Sequence, residues 1–162
     1  MEHAQLLEVA FVNYLAGLQS GNPLVTIWPA GLNIYPGENN LDKNGIRIVC
    51  YVEGNALGDE EPPNSGNRRF EISCQLRTPI RKLTADEIEN NTTDPFAQHQ
   101  ATATLLSSAI LSNNLPTLLE NSQAGLTVFG LTNRTQFREQ NDGDWVTGWK
   151  VSGLSCPCTF IN

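Results

Sequence analysis

A chain of 162 residues, 40% hydrophobic and 17% charged, has the length of one ordinary domain. It has enough apolar side chains for a buried core, which excludes wholesale disorder. The formal net charge of −7, from 17 acidic and 10 basic residues, excludes tight binding to duplex nucleic acid by counterion release unless the basic residues gather on one face.

There is no run of about 18 apolar residues, so no membrane span is expected. The start, Met1-Glu2-His3-Ala4-Gln5, carries acid where a signal peptide would carry Lys or Arg, which predicts a cytosolic product. Four cysteines do not make a disulfide framework, and in that compartment they should be mostly reduced.

Glu2 to Leu18 reads as an amphipathic helix, with Leu7, Phe11, Tyr14, Leu15 and Leu18 on one stripe. Gly17 and the Ser20-Gly21-Asn22-Pro23 cluster end it. Leu24 to Tyr35, interrupted by Pro29 and Gly31, reads as an irregular edge strand or a pair of short strands, because proline cannot donate within a ladder. Pro36 to Gly45 reads as a polar turn.

Two stretches then alternate at period two. Ile46, Ile48, Cys50 and Val52 alternate with Arg47, Val49, Tyr51 and Glu53; Phe70, Ile72, Cys74 and Leu76 alternate with Arg69, Glu71, Ser73, Gln75 and Arg77. This predicts two half-buried antiparallel strands, in a register that sets Cys50 opposite Cys74. Residues 54–67 between them contain Asp59-Glu60-Glu61-Pro62-Pro63 and are expected to form a protruding acidic loop.

Thr78 to Thr93 reads as a connector with a charged patch at Asp86-Glu87-Ile88-Glu89. Asp94-Pro95 opens a second helix, since Asp accepts from the first free amides and Pro at the first helical position loses no bond. This helix is expected to run to about Asn113 with Ala103, Leu106, Ala109 and Ile110 as its stripe, and a helical turn follows at Leu115 to Glu120. Leu126 to Leu131 and Trp145 to Leu154 read as the closing strands, with Trp145 and Trp149 on one face, and residues 155–162 as a C-terminal tail. The whole is predicted as a single α+β domain over 1–162, a mostly antiparallel sheet packed against two main helices, with long protruding loops.

No residue is identified as catalytic. His99 reads as a surface or interface residue, and neither a nucleophile elbow nor a zinc-protease motif is present. Cys50, Cys74, Cys156 and Cys158 read first as small buried hydrophobes; a zinc site and a disulfide are the alternatives, and no cofactor or metal is expected. The basic residues Arg68, Arg69, Arg77, Arg81 and Lys82 cluster, as do the acids Asp59, Glu60 and Glu61.

This layout resembles the tail terminator and tail-completion (head–tail joining, neck) proteins of long-tailed bacteriophages. The resemblance runs from about Glu2 to Leu154 and rests chiefly on Arg47-Ile-Val-Cys-Tyr-Val-Glu-Gly54 followed by Arg69-Phe-Glu-Ile-Ser-Cys74; the tail after Leu154 has no counterpart in it. It implies a non-catalytic virion subunit, assembled in the host cytoplasm, that forms a closed ring, typically a hexamer. The ring would cap the tail tube protein and dock the head–tail connector protein, while DNA passes through without specific binding. Ring closure needs unlike patches, and Asp59, Glu60 and Glu61 against Arg68, Arg69, Arg77, Arg81 and Lys82 are the candidate interface. The alternative from the residues alone is a small carbohydrate- or peptide-binding module using Trp145 and Trp149.

Overall fold

A computed structural model describes residues 3–17, 28, 32–38, 46–53, 59–60, 67–79, 85–89, 95–111, 114–123, 127–131, 135–142 and 149–161. Among them are helices α1 (His3–Gly17), α2 (Ala85–Glu89), α3 (Pro95–Ile110) and α4 (Leu115–Ser122). The strands are β1 (Asn33–Pro36), β2 (Arg47–Glu53), β3 (Asp59–Glu60), β4 (Asn67–Pro79), β5 (Thr127–Leu131), β6 (Thr135–Asp142) and β7 (Trp149–Ile161). The fold is α+β. All seven strands join one sheet in the order β1-β2-β4-β7-β5, with β3 beside β4 and β6 beside β7. Among the described strands, only the β1–β2 pair is parallel.

The sheet is built around β4 and β7, which pair antiparallel from Asn67↔Ile161 to Pro79↔Trp149 without a break in register. Each is flanked by an interrupted track. Along β4 lie β2, opposite residues 71–77, and then β3, opposite 68–69. Along β7 lie β6, opposite 149–155, and β5, opposite 158–161. A bulge in β5 between Val128 and Gly130 and another in β6 between Phe137 and Gln140 each add a residue to that outer track, a device that bends and twists a strand.

The C-terminal segment expected as a tail is therefore the second half of a central strand. Pro157 lies within it, although proline removes a ladder donor. Among the described residues, Thr135 pairs with Ser155 and Leu131 with Cys158, while 156 and 157 pair with Ile72 and Glu71 of β4, so Pro157 is described with a strand partner on one side. Strand β6, over Thr-Gln-Phe-Arg-Glu-Gln-Asn-Asp, adds a strand between the two closing strands expected; its polar residues carry no apolar alternation to signal it. The short helix α2 likewise lies inside the expected connector.

The core occupies one sheet face. Leu7, Phe11 and Leu15 of α1, Leu106 and Ile110 of α3 and Leu115 and Leu119 of α4 close over Ile48, Cys50, Ile72, Cys74 and Leu76. Burying each large aliphatic or aromatic side chain is worth about 1.5–3 kcal/mol. The helix α1 is rich in Ala and Leu, strong helix formers, and it packs on β1, β2 and α4, while α3 packs on β4 and β7. Tyr14 Oη donates to the Ala109 carbonyl at 2.9 Å in the buried seam between α1 and α3.

The β2–β4 register is the one expected, Cys50 opposite Cys74, and both thiols are free and buried. The expectation of half-buried strands holds along the first half of β4, where Arg69 and Glu71 are exposed between buried Phe70 and Ile72, and is corrected elsewhere in the pair. Every residue from Arg47 to Tyr51 is buried, as are Ser73 and Arg77 on the face away from the helices. Alternating polar residues looked like a solvated face, but polar side chains are also buried where they find hydrogen-bonding and ring partners.

Gly153 sits at the tightest point of the central pair. A Cβ there would collide with the Cys74 carbonyl oxygen and lie 3.0 Å from Gln75 Cα, contacts with backbone that cannot swing aside. Gly153→Ala should lower unfolding stability by about 2 kcal/mol or more in urea titrations. Gly17→Ala, with nothing within 4 Å of the added atom, is the control that should leave it nearly unchanged. Tyr14→Phe leaves a buried carbonyl without its donor and should cost about 1 kcal/mol by the same measurement.

Candidate functional site

Three polar groupings among the described residues bear on function. The first is His99, in the second turn of α3 and 2% exposed. Its Nδ1 lies 2.8 Å from Thr78 Oγ1 of β4, and its Nε2 lies 2.8 Å from Ser152 Oγ of β7. Leu76 and Ser152 are strand partners, as are Thr78 and Lys150, so one imidazole straddles both central strands from above. In a neutral ring one nitrogen donates and the other accepts, and a hydroxyl can take either role.

The reading of His99 as a surface or interface residue is thereby corrected. His99 lies four residues before Ala103 and seven before Leu106, on the apolar stripe itself, and only its polarity kept it out of the expected buried set. Thr102, 3% exposed, was missed for the same reason. The imidazole acts as a clamp between α3 and the β4–β7 pair.

The second grouping lies on the opposite face of the sheet. Arg47 and Arg77 are strand partners, 1% and 4% exposed, and like charges directly opposite one another repel. Planar, weakly hydrated guanidinium groups tolerate burial better than ammonium groups when they stack and donate. The Arg47 guanidinium lies 5.7 Å from the centroid of the Tyr35 ring, within cation–π range. Arg77 Nη1 donates to Gln75 Oε1 at 3.2 Å, and Gln75 Nε2 donates to the Tyr51 hydroxyl at 2.9 Å. Burial pushes the Tyr51 phenol upward, with Glu53 and Glu38 adding to it, against a smaller lowering from Ser73 and, least, from Arg77.

Arg77 therefore leaves the expected surface cluster: it is an interior residue. Arg47 was not singled out, although the β2–β4 register already placed it opposite Arg77.

The third grouping is the corner where β4 outruns β2. The strand partner of Asp59 is Arg69, and that of Glu60 is Arg68. Residues 54–67 are thus not one continuous loop, because their acidic pair is stitched to β4. Arg69 is exposed and Arg68 half-buried. The acids and bases expected on complementary patches of different subunits are neighbours within one chain, an arrangement that favours strand pairing. Glu61, Arg81 and Lys82 lie outside the described residues, as does Trp145; Trp149 begins β7, with Pro79 and Asp142 as its strand partners.

Among the described residues, no group of three or more His, Cys, Asp or Glu side chains is placed to hold a metal ion. Cys156 and Cys158 are the strand partners of Ile72 and Phe70, which puts them two and four residues along the ladder from Cys74. No helix among the described residues is long and apolar enough to cross a membrane. Compared with known protein families and with curated proteins, the chain matches none.

His99→Ala removes one partner from two buried hydroxyls and leaves a cavity under α3. Thermal or urea unfolding should show a loss of about 3 kcal/mol, with the far-ultraviolet circular dichroism of the folded protein retained. A variant as stable as the parent would show that the clamp does not hold α3 to the sheet.

Proposed function

We propose that this chain is a structural, non-catalytic subunit of a long-tailed phage tail or neck, forming a ring that caps the tail tube and joins it to the capsid connector. The observation that carries this reading is the architecture: a helix, strands, a helix and closing strands in chain order, with α1 and α3 on one face of a single mostly antiparallel sheet. That is the layout on which the resemblance to tail terminator and neck proteins rests.

Two further observations support it. Both ring nitrogens of His99 are engaged by structural hydroxyls, which gives the imidazole an architectural role. The net charge of −7 suits a ring through which DNA passes, because a negative lumen repels phosphates and does not grip them.

Within this reading the charged corner at Asp59, Glu60, Arg68 and Arg69 acts as one mixed-sign patch. A mixed-sign patch adds specificity and on-rate to a contact whose affinity comes from elsewhere on the surface. Arg77, being buried, has no part in it.

Light scattering across a concentration series, followed by negative-stain imaging, should show closed rings of about six subunits. A monomer throughout, up to the highest soluble concentration, would overturn the ring reading. Reversing the half-buried and the exposed charge together (Arg68→Glu with Arg69→Glu) should shift the mass distribution towards monomer while the melting temperature falls by only a few degrees. Rings unaffected by that double reversal would remove the corner from the subunit contact.

A further inference from the structure

A groove of about 330 Å³ opens between α1 and the end of β1. Its described lining is Gln5, Glu8 and Val9 on one side and Pro36 and Gly37 on the other. Positions 5, 8 and 9 recur at three and four residues, so they share one face of the helix. Gly37 has φ +86°, a conformation L side chains rarely adopt. A Cβ there would make only an ordinary contact, 3.9 Å from Glu8 Oε2, so it is the backbone conformation and not space that favours glycine at this wall.

Glu8 is half-buried in this wall. The backbone of Val52, at the end of β2, and that of Gly37 hydrogen-bond its carboxylate, so helix, strand and turn together fix where the charge sits. Burial holds the carboxyl above the usual range; Glu38 pushes the same way, and the two backbone hydrogen bonds pull it down. A negative group in partial desolvation beside a second negative group attracts a cation and repels an anion.

The walls say more about which cation. Val9 and Pro36 are apolar, while Gln5 adds an amide. A hydrated metal ion gains nothing from the first two, whereas a methylene stem buries against them and its ammonium reaches the carboxylate. We propose that this groove binds an alkylammonium group, one ammonium on a short methylene stem, with Glu8 as its counter-ion and Glu38 reinforcing the field at the rim. Such a group is carried either by a lysine side chain of a partner protein or by a free primary amine. The groove belongs to a single chain, so its occupancy is the same question in a monomer and in a ring.

The test is saturation-transfer NMR on the full chain with n-butylammonium as the probe and n-butanol as its uncharged counterpart. Butylammonium should bind saturably with a dissociation constant on the order of millimolar, as expected for so few atoms, and butanol should not. Glu8→Gln should weaken binding at least about fivefold and Glu38→Gln about twofold to threefold. Because Glu8→Gln removes a charge that burial disfavours, that variant should stay folded.

A capped Gly-Lys-Gly peptide that displaces butylammonium at lower concentration would support a lysine side chain as the natural occupant. A peptide that competes less well would support a free amine. Absence of saturable binding, equal binding of butanol, or unchanged affinity in both variants would overturn the proposal.

Discussion

The pairing of β4 with β7 is the constraint on which the rest of the molecule depends. Thirteen consecutive residue pairs join segments that are 70 or more residues apart in the chain, so the loop-closure entropy of the long intervening segment must be overcome before the ladder stabilises anything. Such non-local pairing makes a slow-folding topology. Once formed, the ladder supplies both central strands, and each outer track needs only to add to one edge. That is why β2 and β3 can be separate pieces along β4, and why β5 and β6 can be broken and bulged along β7 without dividing the sheet. The two residues least compatible with a central strand, Gly153 and Pro157, sit where they do no harm. Gly153 admits the close approach of the Cys74 carbonyl, and Pro157 has its described strand partner on β4 alone.

The two faces of this sheet are stabilised by different physics. On the helix face, aliphatic and aromatic side chains from α1, α3 and α4 bury against alternate strand residues, and non-directional apolar burial dominates. Directional bonds enter there at few points, chiefly the Tyr14 hydroxyl and the His99 imidazole, and each joins elements distant in sequence. The other face buries guanidinium, phenol and hydroxyl groups around Val49, with the half-buried Gln75 amide beside them. Burying a charge is unfavourable unless its donors are used, so this face adds less net stability for its area. It demands a defined arrangement in return: the ring of Tyr35 against Arg47, and the line from Arg77 through Gln75 to Tyr51.

These two faces also explain what could be read from the amino-acid order. Helix α1 was legible because Leu7, Phe11, Tyr14 and Leu15 recur at helical spacing, and the start of α3 because proline marks a first turn. The β2–β4 register was legible down to Cys50 opposite Cys74, since a one-residue slip would send Ile48 and Leu76 to the wrong face. The underside was not legible. Arg47 and Arg77 occupy the same alternate positions whether their face meets solvent or is covered, and period-two patterning carries no information about what covers it. Nor was β7 beyond Leu154, because Cys-Pro-Cys reads locally as a terminator and its partners on β4 lie far away in the chain. His99 falls in the same class, its burial depending on Thr78 and Ser152, more than 20 and 50 residues away.

The same logic bears on where function can reside. Interior polar groups hold elements together: His99 clamps α3, Tyr14 ties α1 to α3, and the paired arginines sit under the strands. Each is engaged in a contact that unfolding would break, so none is available to a partner without loss of the fold. Among the described residues, charged positions outside this interior set lie at two seams, where β3 meets β4 and where α1 meets the end of β1. At the first, opposite charges adjoin along one ladder; at the second, a carboxylate is held partly out of water by backbone donors. Both sit at the margins of a rigid sheet and not on it, so a partner can engage either one without disturbing the β4–β7 ladder. A subunit that must keep its shape while contacting others benefits from that separation, because binding energy at the seams is then not diverted into deforming the sheet.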